Sequence, residues 1–143
     1  MKSFLLNYAA FAACICGAGW EVRGQTTASA SATVQFSNGQ TITLSDFSDS
    51  VGIAPNDSAT VTIQFPTAIP DAQVSVESLD GAAVSDAAVN QQGAVSFGFC
   101  AVANAGQNRL EVHYGSQMVR VLFWVLNTQN PQNNPPVITP TNP

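Results

Sequence analysis

The chain has 143 residues, with 4 lysines and arginines against 9 aspartates and glutamates, one histidine and three cysteines. That length suits one domain and not two. A net charge of −5 offers no basic surface to neutralise a run of phosphates, so nucleic acid and anionic membranes are poor partners.

Residues 1–24 stand apart from the rest. "MKSFLLNYAAFAACICGAGW" carries one Lys2, then an apolar run from Phe4 broken only by Asn7, and small residues with "VRG" follow. Charge, a short apolar stretch and a small residue at the cut are what a secretory signal peptide needs. Val22 and Gly24 suit cleavage before Gln25. A retained anchor is the weaker alternative, because the apolar run is short for a membrane span and Glu21 and Arg23 close it. Lipidation at Cys14 is a partial match, with Phe11 and Ala13 before it. The expected location is secreted or extracytoplasmic, in a periplasm or at a cell surface. Cleavage leaves Cys100 as the one cysteine and Arg109 and Arg120 against eight carboxylates, with no lysine. No disulfide can then form within the chain. Cys100 is expected to be a buried strand residue behaving as a small hydrophobe, with pairing to another chain as the alternative.

Residues 25–32 read as a flexible N-terminal segment. From 33 to 126 the apolar residues recur with a period of two, the mark of half-buried strands. "TVQF" (33–36) and "TITL" (41–44) flank a turn signalled by Asn38-Gly39. "SDFSDSVGIAPNDS" reads as a loop. "ATVTIQF" (59–65) sets Ala59, Val61, Ile63 and Phe65 against Thr60, Thr62 and Gln64, and Pro66 and Pro70 end it. "QVSVES" (73–78) alternates again. "GAAVSDAAVNQQG" is Ala-rich but too short and Gly-bounded for a helix. "AVSFGFCAV" (94–102) puts Val95, Phe97 and Phe99 on one side and Ser96, Gly98 and Cys100 on the other.

"NRLEVHYGSQMVRVLFWV" then reads as two strands around Gly115-Ser116. A two-residue turn pairs Tyr114 with Gln117, His113 with Met118, Glu111 with Arg120 and Leu110 with Val121. Leu110, Val112, Val119, Val121 and Phe123 then share the core face. Met118, Leu122, Trp124 and Leu126 face away from it, interrupted by Arg120. Two accounts fit this second apolar row. A first strand, a loop or Val137-Ile138 of the tail covers it, or it is an interface with Trp124 as its anchor. The tail itself, 127–143, is Asn/Gln/Pro-rich and reads as a flexible or semi-rigid segment or linker.

About seven short strands separated by turn signals predict an all-β, two-sheet antiparallel sandwich. The strings "ATVTIQFP", "GAVSFGFCAVANAGQNRLEVHYGSQMVRVLFWV" and "NPPVITP" resemble the immunoglobulin-like domains of bacterial surface and secreted proteins. The resemblance spans about residues 30–126 and implies an immunoglobulin-like sandwich. It departs from antibody domains, since Cys100 has no mate and Trp124 lies in the last strand instead of the core.

Chemistry is sparse. A catalytic triad needs a base and an orienting acid, yet the one imidazole, His113, falls on the outer face beside Arg109 and Glu111. No "GxSxG", "HExxH" or "CxxC" occurs, and a copper site built on His, Met and Cys lacks its second histidine. Asp46, Asp49 and Asp57 fall in one loop, but no calcium-loop spacing is present and turn-forming aspartates account for them better. Asn56 begins an "NDS" glycosylation sequon that matters only in a eukaryotic host. The expectation is a non-enzymatic exported module without cofactor or metal that binds a protein partner or itself. A secreted carbohydrate- or calcium-binding sandwich is the alternative.

Overall fold

A computed structural model describes residues 29–140; the signal-peptide reading of residues 1–24 lies outside them. Among the described residues there are ten strands and one short 3-10 turn. They are β1 (Ser31–Phe36), β2 (Thr41–Leu44), β3 (Ser50–Ile53), β4 (Ser58–Gln64) and β5 (Val74–Ser78). After them come β6 (Ala83–Val84), β7 (Ala88–Val89), β8 (Ala94–Cys100), β9 (Gly106–Tyr114) and β10 (Gln117–Val125). The first sheet has the order β2-β1-β4-β8-β6, with β7 also on β8, and the second β3-β10-β9-β5. The all-β sandwich expected from the period-two pattern is what forms.

Four features differ from the sequence reading. Two of the ten strands, β6 and β7, are two-residue pieces inside the Ala-rich "GAAVSDAAVNQQG" segment. Second, the segment read as one loop contains β3, which pairs in parallel with β10, so the second sheet is mixed and not wholly antiparallel. "SVGI" has no alternation to announce it, because Val51, Gly52 and Ile53 are all buried. A short parallel strand covered on both faces carries no polar row. Third, the N-terminal boundary lies earlier than residue 33: β1 starts at Ser31 and Ala32 is in the core.

The fourth difference is the tail. It does not run off as a free linker but folds back on β3. Gly52 N–H donates to Ile138 O at 2.8 Å, and Ile138 N–H donates to Ser50 O at 2.8 Å. This parallel bridge of Ile138 with Val51 satisfies the outer edge of β3. Asn134 helps to fix the return, since its side-chain oxygen accepts Asn127 N–H at 2.6 Å. Prolines at 135 and 136 leave the segment extended but do not remove the two amides that bond.

The core lies between the sheets. Val34, Val61, Ile63, Val95, Phe97 and Phe99 face it from the first sheet, and Leu110, Val112, Tyr114, Val121, Phe123 and Val125 from the second. Phe99 and Phe123 stack across it with centroids 4.2 Å apart, and Phe65 meets Tyr114 at 5.2 Å. Pairs of this kind contribute about 0.5–1.5 kcal/mol beyond the area they bury. The buried Tyr114 hydroxyl accepts Ile69 N–H at 2.6 Å and lies 3.1 Å from Ile69 O, to which it donates. That ties the long connection after β4 to the end of β9 without a disulfide.

Gly52 shows how close the tail packs. A Cβ at this position would stand 2.8 Å from Val137 Cγ2 and 3.0 Å from Thr139 Cγ2. Gly52→Ala is expected to displace the tail and cost about 1–3 kcal/mol of stability, the usual range for overpacking. Amide exchange at Ile138 should speed up in parallel; unchanged exchange would show that the tail is not seated on Gly52.

Candidate functional site

The outer face of the second sheet gathers most of the chain's unusual surface residues. The turn that organises it is Gly115-Ser116, with Gly115 at φ 60°. A positive φ at the first central residue is the signature of a type II′ hairpin turn, whose twist suits the flanking strands. The register is the one the sequence predicts: Tyr114 opposite Gln117, His113 opposite Met118, Glu111 opposite Arg120 and Leu110 opposite Val121. Val119 is partly buried against the core.

The four residues of the second apolar row are not equivalent. Met118 is 51% exposed, while Leu122, Trp124 and Leu126 are half-buried. Trp124 pairs in register with Gly52, over which Val137 and the Leu126 side chain pack. The tail therefore covers the end of the row near Gly52. At the other end β3 reaches β10 only from Leu122 onward, so Gln117–Val121 has no ladder partner on that edge among the described residues. A shallow apolar groove runs beside this open stretch, lined by Phe47, Pro66, Met118 and Val119. The Trp124 indole nitrogen is buried and has no acceptor among the described residues.

Charges lie beside the row. Arg109 forms a two-pronged bond to Asp80, Nε to Oδ2 at 3.0 Å and Nη2 to Oδ1 at 2.9 Å, and its backbone N–H adds a third at 2.7 Å. The Arg109 hydrogen bond holds the Asp80 carboxyl below its ordinary value. Arg120 Nη2 donates to Glu111 Oε2, and this bond is the first cause of the lowered Glu111 pKa. His113 Nε2 stands 3.5 Å from Glu111 Oε1. Glu77 on β5 is directly opposite Glu111 on β9. Sequence reasoning placed His113 and Glu111 together but missed Glu77, since only strand pairing brings residue 77 beside residue 111.

The other sequence candidates fare differently. Cys100 is exposed and not buried. Val95, Phe97 and Phe99 take the inward positions of β8, so Cys100 falls in the outward row, where none of the described residues buries it. Asp46 accepts Ser48 N–H at 2.9 Å and Ser48 Oγ at 2.6 Å. Asp57 accepts Ser37 Oγ at 2.6 Å and Ser58 N–H at 2.8 Å. Asp46 is committed to a local turn, whereas Asp57 ties Ser37, just after β1, to the start of β4. No helix among the described residues is long and apolar enough to cross a membrane. Compared with protein-family models, curated proteins and solved structures, the chain matches none.

Two measurements test this geometry. Trp124→Phe removes a buried N–H that has no acceptor and should cost less than about 1 kcal/mol, because an unmade hydrogen bond is itself a penalty. Trp124→Ser should cost about 3 kcal/mol, near the lower end for large aromatic truncations. Equal losses in urea unfolding would mean that the indole N–H has a partner. Asp80→Asn should lower stability at neutral pH. A carboxyl whose folded pKa is depressed contributes above its unfolded value, and that contribution is lost as pH falls through the folded one. The gap between wild type and Asp80→Asn should therefore begin to close below about pH 3.9; a gap that stays constant into stronger acid would rule out the Arg109 pairing as its source.

Proposed function

We propose that this is an exported, non-catalytic binding or assembly module, and that it associates through the open edge and outer apolar row of β10. Export rests on the composition of residues 1–24 given above. The observation that carries the binding reading is the stretch Gln117–Val121, which pairs with β9 on one side and has no ladder partner on its outer edge among the described residues, and within which Met118 is 51% exposed. An exposed strand edge offers a row of unpaired backbone groups to which another strand can add. Of the adjoining apolar side chains, Met118 and the half-buried Leu122 supply contacts that distinguish one partner from another, whereas Trp124 and Leu126 lie at the end of the row that the tail covers.

An immunoglobulin-like classification is supported by the order of strands. β1-β4-β8-β6 has the connectivity of an A-B-E-D sheet, and β10-β9-β5 that of a G-F-C sheet. The tail's return to β3 favours a module whose last described residues are tied to the body of the domain. The partner class put forward is a protein, with a second copy of the chain as the first case to test.

Light scattering decides that case. Wild type is expected to show a mass above that of one chain, falling to one chain in Met118→Glu, which still unfolds cooperatively as a folded domain. Met118 is exposed, so the new charge should not disturb folding. A wild-type protein that remains a single chain across the accessible concentration range would end the self-assembly reading. An oligomer unaffected by Met118→Glu would move the interface away from β10.

A further inference from the structure

We propose that Glu77, Glu111 and His113 form a binding site for a divalent transition-metal ion of the zinc class on the outer face of the second sheet. This goes beyond the assembly reading and does not depend on it. The three residues come from neighbouring strands in one patch: β5 supplies Glu77, and β9 supplies Glu111 and His113, two positions apart on the same face. One ligand atom from each lies within 4.8 Å of the others.

Three observations favour a metal over a chance cluster. First, His113 Nε2 and Glu111 Oε1 are 3.5 Å apart, longer than an ordinary N–H···O hydrogen bond. Two ligands with bonds of about 2.0–2.1 Å on one tetrahedral ion stand about 3.4 Å apart, so this pair is already spaced to share one. Second, Glu77 and Glu111 are directly opposite each other across β5 and β9. Like charges at such positions destabilise a sheet; Arg120 offsets Glu111, and an ion between the two carboxylates would engage Glu77 as well. Third, Arg120 bonds to Glu111 through Oε2 and leaves Oε1 turned toward His113. Arg120 thereby fixes the carboxylate's orientation without occupying the oxygen that the ion needs, as outer hydrogen bonds do at metal sites.

The ligand set selects the ion. One imidazole and two carboxylates suit zinc and its first-row neighbours, which accept nitrogen and oxygen at low coordination number. Calcium takes six to eight oxygens, which this patch does not provide. Glu77 is exposed and can change rotamer to close the remaining distance. Water fills the other positions of an ion on an open face. Such a site would brace β5 against β9 or take a further ligand from a bound partner.

The test is a titration of untagged protein with zinc chloride, followed by calorimetry and by the imidazole proton resonances. Because Cys100 is also exposed and the chain has Cys14 and Cys16 besides, the protein carries Cys14→Ser, Cys16→Ser and Cys100→Ser. His113 is the one histidine of the chain, so its resonances report on the site directly, before any variant of the site is made. The expected result is saturable binding of one ion per chain, a shift of the His113 resonances with the same saturation, and a higher melting temperature with zinc. His113→Gln and Glu77→Gln should each weaken binding at least about 10-fold, the smaller loss seen when even an outer partner of a metal ligand is removed. In metal-free buffer Glu77→Gln should melt no lower than its parent. No saturable binding, His113 resonances that do not move, or affinity unchanged in either variant would overturn the proposal. So would calcium chloride binding as well as zinc, since that would reveal only a cluster of surface charge.

Discussion

The second sheet depends on the two-residue turn at Gly115-Ser116. Side chains alternate along a strand, so a one-residue slip in the β9-β10 hairpin would exchange every inward residue for an outward one. The type II′ turn prevents that slip. With the register fixed, Leu110, Val112, Tyr114, Val121, Phe123 and Val125 all point into the core. The same register sends Arg109, Glu111, His113, Met118, Leu122 and Trp124 outward. β5 adds to β9 and β3 adds to β10, so the apolar row and the carboxylate-imidazole patch are two consequences of one turn.

What the hairpin orders, aromatic contacts fasten to the first sheet. The Phe99-Phe123 stack joins β8 to β10, and Phe65 with Tyr114 joins the end of β4 to β9. Tyr114 does further work through its hydroxyl, which engages both backbone groups of Ile69. A buried phenol with both partners satisfied anchors a loop without the penalty of an unmade hydrogen bond. Asn108, the one buried polar residue among those described besides the Tyr114 phenol, likewise bonds to the backbone, donating to Gln107 O and accepting Val102 N–H. The described domain is held by packing and such local bonds, in keeping with a single free thiol lying on its surface.

Sheet edges are handled unevenly, and the difference bears on function. The tail closes β3 with two backbone hydrogen bonds, and Val137 seals the space above Gly52. Among the described residues, the first half of β10 receives no such cover. Exposed edges are commonly blunted by charge or covering segments, and here Arg120 is the one charge on that stretch. Both arginines of the described domain are engaged on this sheet, Arg109 by Asp80 and Arg120 by Glu111. Glu77 is left facing Glu111 with no arginine of its own. An open edge and an unbalanced carboxylate therefore share one face of the sandwich, which makes that face the place to look for binding.

Local pattern by itself determined the all-β class, the main strands of both sheets, the β9-β10 register and the membership of the inner and outer rows. Each follows from period-two alternation and turn chemistry, which act over a few neighbouring residues. Only the tertiary structure decided what lies between distant segments. "SVGI" becomes a strand because β10 offers it a parallel ladder, and Val137-Ile138 becomes part of the sheet because β3 has an edge to close. Cys100 is exposed because no described element crosses the outer side of β8 at that point. Glu77 joins Glu111 and His113 because β5 pairs with β9 in one register among several that its short sequence allows. Pairing and covering depend on where a second segment arrives in space, and the alternation within the first carries no record of it.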